Sequence, residues 1–392
     1  ALTNTERIAE YIAGGCTGEN RLGVEIEHFV LRRDRTQVTY NSGIQDILNK
    51  LSEYYTEKEY SCGELIALYN NEASITIEPA GQLEISIKPC RSIGEIDAIY
   101  KKFIRRTEQA LSEYGFELAN FGYTPHSKAE ELELIPKERY AFMDRYFRST
   151  GTNGINMMRA TASTQVSVDF ADEADCVRKL RTASLLAPVF ALITDNSPFF
   201  EGIRYSGRML RTRIWQNVDY DRCGTIPCLF DKDFGFLKYA EYIYNSPAIF
   251  IMAENGAVYT GPKTAAEIYR EHELTTQEIE HLLSMFFPDV RLKKYIEIRP
   301  ADSLPDQLAM GYAALIKSLF VKNALPDICA AENADIENAK NELIEKGYNG
   351  VVYGRPVRDI IGDMFKNALS VLSSAETGYI TPLIERVQAA EA

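Results

Sequence analysis

Residues 21–29 read Arg-Leu-Gly-Val-Glu-Ile-Glu-His-Phe, and this stretch decides how the fold is interpreted. Val24, Ile26 and His28 alternate with Glu25 and Glu27. A period of two residues is typical of a β-strand, so both carboxylates are expected on one face. Two acids at this spacing repel each other unless water or a cation screens them. The stretch therefore predicts either a solvated face of an antiparallel strand or a face that holds metal.

Later segments repeat this alternation of apolar and polar residues. Residues 74–87 are typical of a β-hairpin with a Pro-Ala-Gly-Gln turn, and residues 164–170 and 294–299 of two further strands. If the four strands share one sheet, its polar face carries a cluster of acids that needs cations. The side chains predicted on or beside that face are Glu25, Glu27, Glu78, Glu84, Gln165, Glu297 and Arg299.

Helical spacing is predicted over residues 3–14, 44–59, 92–114 and 172–194, and again from Thr275. Residues 120–158 show little regular periodicity and are predicted to be a long loop. After Asp302 the pattern is helical, with breaks expected near Pro326, from Gly347 to Pro356 and near Gly378. No linker or repeat interrupts the chain. A single catalytic domain over residues 1–392 is the simplest division, with residues 320–392 as its helical C-terminal part.

Composition limits the possible partners. The 392 residues carry a formal net charge of −13, which argues against nucleic acid or an anionic membrane as a partner. No stretch approaches the roughly 18 continuous apolar residues of a membrane span, and no signal peptide is visible. Seven scattered cysteines favour free thiols in a reducing cytoplasm, although Cys223 and Cys228 could meet.

The residue types narrow the chemistry. The four histidines are dispersed and the cysteines form no paired motif, so a metal would be held by carboxylates, which favours magnesium or manganese. Arg204, Arg208, Arg211 and Arg213 lie within ten residues, either binding an anion or paired in solvent with nearby acids. Carboxylates with arginines suit metal-assisted phosphoryl transfer. Residues 256–264 only superficially resemble a phosphate-binding loop, because a proline breaks the required spacing.

Several motifs resemble one family in matching order, from about residue 20 to 315. This family is the plant and proteobacterial type of glutamate–cysteine ligase, a member of the glutamine-synthetase-like carboxylate–amine ligases, whose relatives include the actinobacterial enzyme of ergothioneine synthesis. The matching segments are residues 23–27, 78–86, 136–140, 164–170, 173–181, 196–202, 221–236 and 287–299.

The resemblance implies an α+β fold, with a curved, mostly antiparallel sheet forming a funnel and helices packed outside. It implies that ATP phosphorylates the γ-carboxylate of L-glutamate and that the amine of L-cysteine attacks the acyl phosphate. It also implies roles for individual residues. Arg299 and Arg211 are the candidate catalytic residues, Arg139, Tyr140 and Arg211 would contact the amino-acid substrates, and the Mg²⁺ ligands would be Glu25, Glu27, Glu84, Gln165 and Glu297.

Four positions depart from the family pattern. Ala80 and Pro300 stand where the family usually has glycine, Ser167 replaces an asparagine, and Arg159 is shifted by one residue, so no role is assigned to it. These departures bear on which amine acts as the acceptor more than on the phosphorylation step. Two alternatives therefore stay open, a ligase of the same mechanism with another amine acceptor and a non-catalytic protein that binds glutamate or nucleotide.

Overall fold

The computed structural model describes residues 2–328 and 334–391. Strands and helices alternate irregularly along the chain. The strands are β1 Leu22–Leu31, β2 Glu57–Ser61, β3 Glu64–Tyr69, β4 Ala73–Ile77, β5 Leu83–Cys90, β6 Glu117–Ala119, β7 Ser163–Val168, β8 Phe199–Phe200, β9 Ile203–Arg204, β10 Cys223–Gly224, β11 Pro247–Ala253, β12 Gly256–Thr264, β13 Phe287–Pro288, β14 Val290–Leu292, β15 Ile296–Asp302, β16 Val351–Val352 and β17 Arg355–Pro356.

The helices surround the sheet and make up most of the last third of the chain. They are α1 Asn4–Ala13, α2 Gln45–Leu51, α3 Ile93–Ser112, α4 Glu138–Thr150, α5 Gly154–Ala160, α6 Glu173–Ile193, α7 Leu210–Trp215, α8 Phe236–Tyr244, α9 Ala265–Ile268, α10 Thr276–Ser284, α11 Asp306–Ile316, α12 Ile336–Lys346, α13 Val357–Val371 and α14 Ser374–Glu391. None of the described helices combines the length and the apolar character that crossing a membrane requires.

One large sheet organises the fold. Its strand order is β14-β15-β7-β1-β5-β4-β3-β2, with β6 also paired to β1, and all of these pairings are antiparallel. The α+β class and the mostly antiparallel sheet are therefore as predicted, whereas the funnel shape stays a prediction. The four strands with polar faces are adjacent in the order β15-β7-β1-β5. Their register sets Glu25 opposite Gln165 and Glu27 opposite Glu84.

Strand β1 separates the hydrophobic core from the polar face. Val24, Ile26 and His28 have no exposed surface. The imidazole of His28 lies 2.9 Å (Nδ1) from the carbonyl oxygen of Leu83 and 2.7 Å (Nε2) from the hydroxyl of Tyr100, so both ring nitrogens are satisfied inside the core. The alternation in the sequence therefore corresponds to a real division between core and cavity.

Several helix predictions are confirmed by their caps. Thr3 and Thr275 form capping boxes with Glu6 and Glu278, and Asp172 accepts a hydrogen bond from the amide of Asp175 at the start of α6. The helix predicted over 44–59 is wrong beyond α2 and a short 3₁₀ turn, because β2 follows. The side chains of β2 are mostly exposed at the edge of the sheet, so no apolar alternation marks this strand in the sequence.

The long loop predicted over residues 120–158 is also wrong, because it contains α4 and α5. Helix α4 begins without a side-chain cap, and arginines are interspersed among its buried residues, which hides the usual apolar stripe. The break predicted near Gly378 is absent because α14 passes through it, whereas the breaks near Pro326 and from 347 to 356 are confirmed. Residues 256–264 form β12, paired with β11, and not a phosphate-binding loop.

The C-terminal helices pack directly on the elements next to the sheet. A side chain at Gly311 in α11 would lie 2.9 Å from the carbonyl oxygen of Tyr379, so α14 contacts α11 at backbone distance. Cys223 and Cys228 are free, as are the other cysteines in the described part of the chain, while Cys329 lies outside the described residues.

Candidate active site

The polar face of the sheet forms the floor of a cavity of about 280 Å³. This size suits a small-molecule substrate site. Every residue predicted from the sequence as a ligand, substrate contact or catalytic group lines this one cavity. These residues are Glu25, Glu27, Glu84, Arg139, Tyr140, Gln165, Arg211, Glu297 and Arg299.

Three carboxylates in the cavity form a compact group, here called the acidic triad. Glu27, Glu78 and Glu84 each place a carboxylate oxygen within 4.8 Å of the other two. Glu27 accepts a hydrogen bond from the backbone amide of Ser163 at 2.7 Å, and Glu84 accepts one from the hydroxyl of Thr76 at 2.9 Å. These bonds fix the orientation of two carboxylates and leave the remaining oxygens available for a cation.

The acidic triad is electrostatically unfavourable without a cation. Burial, followed by the charge of Glu78, raises the pKa of Glu27 to about 8. Burial also raises the pKa of Glu84 well above its ordinary value, with Glu25, Glu78 and Glu27 adding repulsion. The pKa of Glu25 is raised by burial and then by Glu297. Desolvated carboxylates that repel one another are the oxygen donors that a hard divalent cation stabilises, so the residues present fit Mg²⁺.

Glu297 is held differently from the triad. Its Oε2 atom accepts hydrogen bonds from Arg291 Nε at 2.7 Å and from Arg299 at 2.9 Å, while Lys293 Nζ lies 4.0 Å from its Oε1 atom. Burial alone would raise the pKa of Glu297, but the charges of Arg291, Lys293 and Arg299 outweigh it and hold the pKa far below its ordinary value. Glu297 is therefore ionised in the folded protein at any ordinary pH.

Gln165 connects the two parts of the cavity. Its Oε1 atom accepts a hydrogen bond of 3.0 Å from Arg299, and its amide nitrogen lies 3.0 Å from the hydroxyl of Ser163 and 3.5 Å from Glu27 Oε1. The bond to Arg299 orients the amide so that its nitrogen faces the triad. This side chain thus fixes the arginine beside the acids.

Arg211 is the one member of the predicted arginine cluster that lines the cavity. Its guanidinium donates to the backbone oxygens of Arg299 at 3.2 Å and Pro300 at 3.3 Å. Its Nε atom is buried and has no hydrogen-bond partner among the described residues, as is true of Arg139 Nε. Buried donors without partners in a cavity wall are available to a ligand.

The other three arginines of that cluster lie outside the cavity. Arg208 donates to the backbone oxygen of Glu345 at 2.9 Å, Arg213 donates to the hydroxyl of Tyr205 at 3.1 Å, and Arg204 is exposed in β9. They are therefore structural or solvated groups.

Helices α4 and α5 supply a less polar wall. They place Tyr140, Met143, Met157 and Met158 against the cavity. Arg159 does not line the cavity. Its Nη2 atom donates to Asp144 at 2.7 Å, and Nη1 donates to the backbone oxygen of Leu132 at 2.8 Å, which joins the two helices to the preceding segment.

The family model described as glutamate-cysteine ligase family 2 matches residues 21–355. The chain belongs to glutamate–cysteine ligase family 2. It is 32% identical to the chloroplastic glutamate–cysteine ligase of Arabidopsis thaliana, covering 96% of this chain and 74% of that protein. It is also 32% identical to chloroplastic glutamate–cysteine ligase A of Oryza sativa subsp. japonica, covering 97% of this chain and 80% of that protein.

A solved structure has the same fold as this member of the glutamate–cysteine ligase family. It is the glutamate–cysteine ligase of Francisella tularensis in complex with AMP, with a TM-score of 0.56 and 11% sequence identity. The similarity covers 94% of this chain and 82% of that chain. At this identity the comparison concerns the fold alone.

Sequence reasoning missed some cavity residues of this family member. Glu78 was predicted beside the polar face but outside the metal ligands, although its place on the Thr76 side of the hairpin corner was a usable signal. Arg291 and Lys293 were missed entirely. The alternation that continues backward from Glu297 would have found Arg291, which lies opposite Glu297 in the pairing of β14 with β15.

Proposed function

We propose that this protein is an ATP-dependent, ADP-forming ligase that joins the γ-carboxylate of L-glutamate to the amine of L-cysteine. In the first step a glutamate γ-oxygen attacks the terminal phosphorus of ATP, and ADP leaves. In the second step the cysteine amine attacks the acyl carbon of γ-glutamyl phosphate, the C–N bond forms, inorganic phosphate leaves, and the amine loses a proton. The observation that carries this proposal is that the acidic triad and several arginines line the same cavity.

Magnesium is part of the proposal because of the donor set. Bound Mg²⁺ would neutralise charge on the nucleotide phosphates and on the transferred group. Glu27 and Glu84, together with Glu78, offer the closest set of oxygens. Glu25 and the less strongly bonded Oε1 oxygen of Glu297 are other proposed ligands, and Gln165 would ligate through Oε1, the oxygen that also accepts from Arg299. The AMP in the Francisella tularensis enzyme supports an adenine nucleotide as one substrate.

The remaining polar residues divide between phosphate and amino-acid binding. Arg299 is held by Glu297 and Gln165, so it can stabilise charge on the transferred phosphate without reorganising. Arg211 and Arg139 keep buried donors for substrate carboxylates, and Tyr140 lies beside Arg139, whose guanidinium is 5.4 Å from the tyrosine ring centre. No covalent enzyme intermediate is needed for this chemistry.

Apolar side chains would protect the reactive intermediate. Trp215 and Phe287 line the same cavity as the arginines. The guanidinium carbon of Arg299 lies 6.0 Å from the ring centre of Trp215 and 5.9 Å from that of Phe287. An acyl phosphate hydrolyses when water reaches it, so a wall of aromatic groups beside the arginines favours transfer to the amine.

The test is ADP release from Mg-ATP and glutamate, with cysteine and other amines supplied in turn. Turnover that requires glutamate and prefers cysteine supports the proposal. Preference for another amine would assign a different acceptor to the same mechanism, and nucleotide or glutamate binding without turnover would indicate a non-catalytic protein. The product should be identified by mass, because ADP release alone does not distinguish ligation from hydrolysis.

Substitution of Glu27 tests the metal assignment. Glu27→Gln removes an oxygen ligand and also relieves repulsion within the acidic triad, so we expect turnover to fall by about 100-fold or more while the fold is retained. Steady-state kinetics across a magnesium titration, together with circular dichroism, would measure both effects. Near-normal activity of this variant would contradict the assignment.

A cytoplasmic location is a further proposal. It is supported by the free cysteines of the described residues, which suit a reducing compartment. The relatives named above are chloroplastic enzymes. Localisation of the tagged native protein, with a marker for each compartment, would test this location directly.

A further inference from the structure

Two consecutive lysines between β14 and β15 have different environments. Lys293 and Lys294 lie in a tight turn in which the amide of Lys293 donates to the carbonyl oxygen of Tyr295 at 2.9 Å. Lys293 lines the cavity, on the same side as Arg291. Lys294 is exposed and points the other way, with its Nζ atom 4.3 Å from the ring centre of Tyr11. Only the first lysine is therefore available to a ligand in the cavity.

The neighbouring cations already have strong partners within the protein. Arg291 donates to Glu297 at 2.7 Å and to the backbone oxygen of Phe286 at 3.0 Å. Arg299 donates to the same carboxylate oxygen at 2.9 Å and to Gln165 at 3.0 Å. These two guanidiniums are consequently fixed in position, and the single charge of Glu297 is shared between them.

The ammonium group of Lys293 lacks such a partner. Its nearest described carboxylate oxygen is Glu297 Oε1, at 4.0 Å, which is beyond hydrogen-bonding distance. Only 24% of the Lys293 side chain is exposed, and the residue lines the cavity. Arg291, Lys293 and Arg299, here called the basic group, face two carboxylates, Glu297 and Glu25, so the positive charges outnumber the negative ones. This part of the cavity is therefore suited to an anionic ligand.

We propose that Lys293 binds the terminal phosphates of ATP, an assignment that rests on the proposed function. A polyphosphate carries several negative charges and three acceptor oxygens on its terminal phosphate, whereas a substrate carboxylate carries a single charge. The compact ammonium of lysine contacts phosphate oxygens as a point charge, which complements the fixed arginines on either side. Lys293 is thus a substrate-binding residue that holds the nucleotide while Arg299 faces the transferred group.

Steady-state kinetics of two matched variants would test the assignment. We expect Lys293→Ala to raise the KM for ATP by about 10- to 100-fold, the range for losing one charge-assisted hydrogen bond, with the KM for glutamate changed less than about threefold. Lys294→Ala removes the neighbouring lysine outside the cavity and should leave both values unchanged. Lys293→Arg keeps the positive charge and should restore most of the affinity for ATP. This rescue separates a binding role from a general loss of structure.

Binding measurements distinguish the terminal phosphates from the rest of the nucleotide. Calorimetry with the magnesium complex of a non-hydrolysable ATP analogue should show weaker binding to Lys293→Ala, whereas binding of AMP should be unchanged. A raised KM for glutamate in place of ATP, equal weakening of AMP, or an equal effect of Lys294→Ala would overturn the assignment. Failure of the wild-type protein to use ATP and glutamate would instead reject the proposed function itself.

Discussion

At the scale of residues, Glu78 shows how strongly one carboxylate affects the charge and the metal-binding capacity of its neighbours. It lies at the corner of the β4–β5 hairpin, and its carboxylate completes the acidic triad with Glu27 and Glu84. The charge of Glu78 is the largest cause, after burial, of the raised pKa of Glu27. A cation that stabilises one of these carboxylates must therefore stabilise the others, and Glu78 should be as necessary to metal binding as the ligands predicted from the sequence.

We expect Glu78→Gln to reduce turnover by about 100-fold and to raise the magnesium concentration needed for half-maximal activity, because one ligand charge is lost. Kinetics over a magnesium titration would measure this. The control is Glu72→Gln, which removes only a half-buried ion pair with Lys102 outside the cavity. An equal effect of the two substitutions would show that Glu78 acts through general electrostatics and not as a ligand.

At this scale the sequence predicted which residues share the cavity better than it predicted their partners. Strand alternation depends on backbone geometry, which adjacent residues determine, so Glu25, Glu27 and Glu84 could be assigned to one face. Which acid meets which cation depends on the sheet register and on residues far apart in the chain. For that reason the hydrogen bond between Gln165 and Arg299, which lie 134 residues apart, could not be foreseen.

Strand β1 shows how one element serves both the core and the cavity. Glu25 and Glu27 face the cavity, while His28 is fully buried on the other face. Burial lowers the pKa of His28 from 6.5 to about 4, against hydrogen bonds to backbone groups that raise it. Below pH 6.5 the unfolded chain binds a proton that the folded protein does not take up, so the free energy of unfolding falls as the pH decreases towards 4.

This linkage predicts that His28 contributes roughly 3 kcal/mol of acid sensitivity between pH 7 and pH 4. His28→Gln keeps hydrogen-bonding groups but cannot titrate, so its free energy of unfolding should fall less steeply over the same interval. Urea unfolding of both proteins at several pH values would measure the difference. The cavity carboxylates are common to both proteins, so their titration cancels in the comparison. Identical pH slopes would contradict a neutral buried imidazole.

Several elements with an apolar face were predicted, such as β1 and α6, but β3, α8 and β11 also bury apolar residues and were missed together with the polar β2 and α4. β2 exposes most of its side chains at the sheet edge, and α4 directs Arg139 and Tyr140 into the cavity. The polar residues that make these elements functional or soluble also remove the hydrophobic period by which they would have been recognised. The interspersed arginines of α4 explain in the same way why residues 120–158 were predicted to be a loop.

At the scale of the whole molecule, the C-terminal helices support the cavity although they do not line it. Lys340 in α12 is buried, and its Nζ atom lies 2.6 Å from Asp289 Oδ2 and 2.6 Å from Glu337 Oε1. Asp289 in turn accepts a hydrogen bond through its backbone oxygen from the amide of Arg299 at 3.0 Å. A chain of contacts therefore connects the C-terminal part to Arg299, which supports the prediction of a single domain.

Breaking this connection should affect stability and catalysis together. Lys340→Met retains the aliphatic packing but leaves the Asp289 carboxylate, whose side chain is only 17% exposed, without its cation. We expect the free energy of unfolding to fall by about 2–3 kcal/mol, and turnover to fall because β15 and Arg299 lose support. Lys346→Met is the matched control on the same helix, since its ion pair with Glu342 is half exposed and should contribute less than about 1 kcal/mol.

If α12 belonged to an independent domain, the two variants would differ in their unfolding transitions, but both would keep the turnover of the unaltered protein. A single cooperative transition that shifts only in Lys340→Met, together with reduced turnover, is the result that a single domain requires.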